Sequence, residues 1–74
     1  MNDYYIIKNA TQDNWLNAIY QNNLSYAGTY YNAIQLSTQA IGEAFLAFCE
    51  NADPETVFKL YRVEVSLNEV TQVP

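Results

Sequence analysis

Gln39-Ala40-Ile41-Gly42-Glu43-Ala44-Phe45-Leu46-Ala47-Phe48-Cys49-Glu50-Asn51 (residues 39–51) decides the reading of the fold. Ala40, Ile41, Ala44, Phe45, Phe48 and Cys49 recur at i, i+1, i+4, i+5, i+8 and i+9, which draws one apolar stripe along a helix. Gln39, Glu43 and Glu50 fall on the opposite side. Ser37 or Thr38 offers a hydroxyl to the first unpaired amides. Asn51-Ala52-Asp53-Pro54 closes the helix, because proline disfavours helical backbone in the residue before it. Such a stripe predicts a helix packed on a sheet, with Phe45 in the core.

Strand-like segments lie on both sides of it. Asp3-Tyr4-Tyr5-Ile6-Ile7-Lys8-Asn9 is aromatic and β-branched, and both alternating sets hold a tyrosine and an isoleucine, so a strand covered on both faces is predicted. Val57 to Val65 reads as another, with Tyr61, Val63 and Val65 on one face and Phe58 and Leu60 on the other. Thr29 to Leu36 alternates well enough for a third, with Ile34 and Leu36 inward. Trp15, Leu16, Ile19 and Tyr20 show helical spacing, which predicts a short helix near Trp15, followed by a loop over residues 25–29. Residues 66–74 read as a short edge strand around Glu69-Val70-Thr71 or a loose tail. The expected architecture is α+β: one domain over residues 1–74, a three- or four-stranded antiparallel sheet, a main helix on one face and a short second helix.

Composition narrows the chemistry. The chain of 74 residues has no histidine and one cysteine, Cys49. The usual general base and the commonest metal ligand are therefore missing, and a thiol on an apolar stripe reads as a buried, inert core residue. No phosphate-binding glycine pattern or calcium loop is present, so neither catalytic residues nor a metal or cofactor is expected. Glu43, Glu50, Asp53 and Glu55 cluster in sequence, but solvent-facing carboxylates do not push each other's pKa values apart, and they read as a solvated or partner-facing acidic patch. Three basic residues against eight acidic ones give a net charge of −5, which argues against direct binding of nucleic acid. The opening Met1-Asn2-Asp3 shows no basic and apolar leader, and no apolar run approaches a membrane span, so a cytoplasmic protein away from membranes is expected.

The tyrosines point to recognition. Seven of them are too many for so small a core to bury with every hydroxyl satisfied. Nine asparagines and five glutamines outnumber all charged residues. Tyr26, Tyr30, Tyr31 and Trp15, set among these amides, are the candidate contact residues for a protein partner. A self-assembling subunit, such as a homodimer, is the second reading.

The order of elements, from Tyr4-Tyr5-Ile6-Ile7-Lys8 through Leu36-Ser37-Thr38 into the helix and on to Leu60-Tyr61-Arg62-Val63-Glu64-Val65, resembles that of small phage-encoded inhibitors, in particular some anti-CRISPR proteins. The resemblance implies a non-enzymatic protein in the host cytoplasm that binds a bacterial effector complex and blocks nucleic-acid access or a conformational step. It carries over no individual residue.

Overall fold

The computed structural model describes residues 3–64 and 67–70. Alternation along the first segment makes it β1 (Tyr4–Asn9), the middle strand of an antiparallel sheet, with Ile6 and Ile7 pointing to opposite faces and both fully buried. Both faces of β1 are covered, as its two apolar sets require. On one side it pairs with β4 (Phe58–Val63) over the whole strand, from Tyr4 opposite Val63 to Asn9 opposite Phe58. The two sets of β4 divide as the sequence predicts, Phe58 and Leu60 toward one core cluster and Tyr61 and Val63 toward the other. Val65, read as the end of this strand, lies outside the described residues, as do Thr71 and Pro74 of the predicted edge segment.

Residues 14–20 are a strand and not the expected helix. β2 (Asn14–Tyr20) runs through a two-residue turn into β3 (Asn23–Ala27), whose residues 25–27 fall in the segment read as a loop. Two local features misled the sequence reading. The register between Leu16 and Ala18 shifts by one residue, so Leu16 faces Tyr26 and Ile19 faces Leu24. A bulge thus puts residues three apart on one strand face, and that spacing imitates a helix. The turn residues Gln21 and Asn22 both adopt positive φ, 49° and 69°, which is a type I′ turn built without the glycine that normally announces it.

The predicted strand over residues 29–36 is also corrected. Tyr30–Asn32 form one 3-10 turn, after which the chain crosses the sheet. β1 and β2 pair only at Lys8 with Trp15 and Asn9 with Asn14, and then part. Into the gap goes residues 34–36: the Ile34 N–H donates to the Leu16 carbonyl at 2.9 Å, while Leu36 exchanges two backbone hydrogen bonds with Tyr5, at 2.7 and 2.8 Å. The crossing segment thus satisfies the Tyr5 N–H and carbonyl and the Leu16 carbonyl, groups freed where the strands part. Ala33 belongs to the cluster on one face, and Leu36 to the cluster on the other.

Thr38 then caps α1 (Gln39–Ala52), its hydroxyl accepting from the Ile41 N–H at 3.1 Å. The cap is one of the two hydroxyls the sequence offers. Strand β5 (Leu67–Glu69) adds a three-residue edge beside β4, giving the order β3-β2-β1-β4-β5. Among the described residues the fold is α+β: an antiparallel sheet of four full strands and one short edge strand, a main helix on one face, and one 3-10 turn as the second helical element, over residues 30–32 and not over the segment that contains Trp15.

The helix turns its apolar stripe only partly to the sheet. Gly42, Leu46 and Cys49 are the buried positions and Phe45 is half-buried, whereas Ile41 and Phe48 are 41% and 37% exposed and Ala40 and Ala44 are exposed too. Most of the stripe expected in the core is thus left open. The reason is steric: Gly42 brings the helix against Leu60 and Tyr5, and this contact fixes which arc lies on the sheet.

Candidate functional site

The open arc of α1 looks onto an uncovered part of the sheet. A helix with its side chains is about 10 Å across and strands lie about 4.8 Å apart, so one helix roofs roughly two strands. α1 packs chiefly on β1 and β4, and its C-terminal end reaches β3, where Tyr26 lies beside Cys49 and Asp53; the face of the sheet around Ile19 is left open. A groove of about 500 Å³ runs there, lined by Ile19, Ile34, Ala44, Phe45 and Phe48. Among the described residues no ionisable side chain lines it. The groove is a product of the bulge and the crossing: the register shift turns Ile19 to this side, and the gap between β1 and β2 brings Ile34 beside it.

The eight residues proposed from the sequence do not converge. Trp15 is only 7% exposed, held on the opposite face of the sheet beneath Tyr30 and Tyr61, with ring centroids at 5.9 and 5.3 Å and edge-on geometry. Lys8 lies over its ring at 5.3 Å and also pairs with Asp13 at 3.0 Å. Trp15 is therefore a core residue of that face, with little surface to offer. Tyr31 stacks on Tyr30 at 4.6 Å and is 76% exposed. The hydrogen bond from Tyr30 to Tyr31 raises the Tyr30 pKa, and the Tyr31 charge adds to the shift.

Tyr26 sits on the helix side of β3, half-buried, beside Asp53 and the turn residues Asn22 and Asn23. Its pKa is raised by burial first and by the neighbouring Cys49 second, while a hydrogen bond from the Asn9 side chain acts the other way. Glu43 and Glu50 lie about 150° around the helix from Phe48, away from the groove. Asp53 ends the helix and accepts the Thr56 hydroxyl at 2.6 Å, and Glu55 is exposed in the turn that follows. Of the four acidic candidates only Asp53 lies beside a candidate tyrosine, Tyr26.

Cys49 is fully buried, and its thiol is pushed up to about 11, mainly by desolvation and secondarily by Glu50. A thiol so placed stays protonated at neutral pH and is a poor nucleophile. The sequence reading missed Ile19 and Ile34 as surface residues and took Ile41, Ala44 and Phe48 for core. A signal was present: the apolar arc of residues 40–49 is wider than one sheet face can cover.

Among the described residues no helix is long and apolar enough to cross a membrane. Comparison of the chain with protein families, with curated proteins and with solved structures found no match.

Proposed function

We propose that the chain is a non-enzymatic, protein-binding inhibitor that captures an amphipathic helix of its partner in the groove between α1 and the β2–β3 hairpin. The observation that carries this is the half-covered stripe: Phe48, Ala44 and Phe45 form one apolar wall, with Ile19 and Ile34 opposite. A helix is the occupant that suits the space, because an open groove walled by apolar side chains takes the apolar face of an amphipathic helix. Apolar anchors at i, i+3, i+4 and i+7 of the partner would fill it. With a net charge of −5 on the chain, a basic polar face on that helix gains in encounter rate and orientation.

Sequestering such a helix removes it from its own contacts, and one small domain per partner is enough to do so. The chemistry on the chain favours occlusion over catalysis, since its one thiol is buried and held protonated at neutral pH. A phage anti-defence role is the narrower form of this reading and rests on the order of elements alone. The test is a pair of pull-downs from bacterial lysate with the wild type and Phe48→Asp. The wild type should retain one protein near stoichiometric amount and the variant none. Equal recovery by both would move the contact elsewhere, and recovery by neither would remove the reading.

A further inference from the structure

β3 ends the sheet on one side, and the turn before it fixes which of its backbone groups point outward. A type I′ turn makes its flanking residues, Tyr20 and Asn23, a pair that exchanges both ladder hydrogen bonds. Alternation then sends the N–H and C=O of Leu24 outward, those of Ser25 inward to β2, and those of Tyr26 outward again. The bulge is on β2, so this alternation along β3 is undisturbed. Leu16 gives an independent check. It stands opposite Tyr26, yet its carbonyl accepts from Ile34 on the side away from β3, as a non-hydrogen-bonded pair requires.

Four outward groups, two on Leu24 and two on Tyr26, therefore remain, and among the described residues no hydrogen bond reaches them. Sheet edges are normally blunted by lysine, proline or a bulge in the edge strand itself. β3 reads Asn23-Leu24-Ser25-Tyr26-Ala27 and has none of these.

We propose that β3 pairs antiparallel with β3 of a second copy of this chain, about a two-fold axis at Ser25. The outward groups flank Ser25 evenly, so the edge is its own complement: Leu24 of each copy meets Tyr26 of the other, and all four groups on each chain are satisfied. Leu24 and Tyr26 are half-buried on the helix side, and each gains an apolar neighbour in an aliphatic–aromatic cross-strand pair. Ser25 is exposed and faces its own copy in the narrow pair, with Cα atoms about 4.5 Å apart. The edge strand carries no charge, so two acidic chains meet there without opposing like charges across the ladder. A two-fold axis normal to the sheet keeps both helices on one face and both grooves open, and the pairing stands whether or not the groove takes a partner.

The experiment measures mass in solution by light scattering and sedimentation, together with cysteine cross-linking. Wild type should weigh twice its 8.5 kDa. Ser25→Cys should form an intermolecular disulfide on air oxidation, since the narrow pair lies within disulfide reach. Asn23→Cys, which faces Ala27 of the other copy in this register, should not. Ser25→Lys should be a monomer with an unchanged far-UV spectrum, because the exposed site opposes two like charges only in the dimer. A wild type that stays at 8.5 kDa at all concentrations overturns the proposal, as does a dimer that Ser25→Lys leaves intact or one cross-linked as readily through residue 23.

Discussion

Gly42 on α1 lies so close to Leu60 on β4 that a Cβ at residue 42 would stand 2.9 Å from Leu60 Cδ1 and 3.3 Å from Tyr5 Cβ. This contact sets the rotation of the helix and hence the arc that remains open. Gly42→Ala should gain about 1 kcal/mol of helix propensity and lose more to overpacking, since Leu60 is fully buried and overfilled cores cost about 1–3 kcal/mol. Urea unfolding should show a net loss. A net gain in stability would mean that the helix is not seated on Leu60.

Core truncations rank differently from what the sequence stripe implies. Leu46 is buried and belongs to the helix-side core, so Leu46→Ala should cost about 3 kcal/mol. Phe48→Ala should cost less, about 1–2 kcal/mol, because more than a third of its surface stays in water, and half-buried Phe45 should fall between them. Denaturant midpoints for the three variants give the order directly. Phe48→Ala as the most damaging of the three would restore the expected stripe and close the groove.

Asn9 is the one buried polar side chain of the described core, 2% exposed, and it joins two elements. Its Oδ1 accepts from the Gln12 N–H at 3.0 Å, holding the turn between β1 and β2, and its side chain reaches the Tyr26 hydroxyl on β3. Asn9→Ala leaves both partners short of a hydrogen bond and should cost about 2 kcal/mol. Asn9→Ala at wild-type melting temperature would show that neither contact matters to stability.

Cys49 predicts a pH dependence. Its folded pKa is raised from 9.0 to about 11, so the folded state holds the proton more tightly than the unfolded one. The resulting stability is complete below the unfolded pKa and is lost as pH rises through the folded value. Melting temperature should fall between about pH 9 and pH 11, and the fall should be smaller in Cys49→Ala, which removes the thiol but leaves the tyrosines. Identical pH profiles for the two proteins would show that the thiol does not contribute.

The sequence made β1, α1 and β4 legible because their apolar periods are unbroken. Ile6 and Ile7, Leu60 and Val63, and the Thr38 cap lie where simple alternation and capping put them. The β2–β3 hairpin was not legible: Asn17 adds one residue to the period of β2, and Gln21-Asn22 turn the chain with no glycine to mark it. Residues 33–36 have strand-like alternation yet serve as a crossing between faces, since the parting of β1 from β2 is a tertiary event with no local signature. The candidate site suffered from the same gap. Phe48 and Ile41 were visible as apolar, but the arc left open depends on the Gly42–Leu60 contact.

The groove is tested most directly by a photo-crosslinking side chain placed at residue 48, with the same group at residue 43 as control, each irradiated in bacterial lysate. Residue 48 faces the groove and residue 43 lies on the far side of α1, so the first should yield one discrete cross-linked protein and the second none. Cross-links from both positions alike, or from residue 43 alone, would contradict helix capture in this groove.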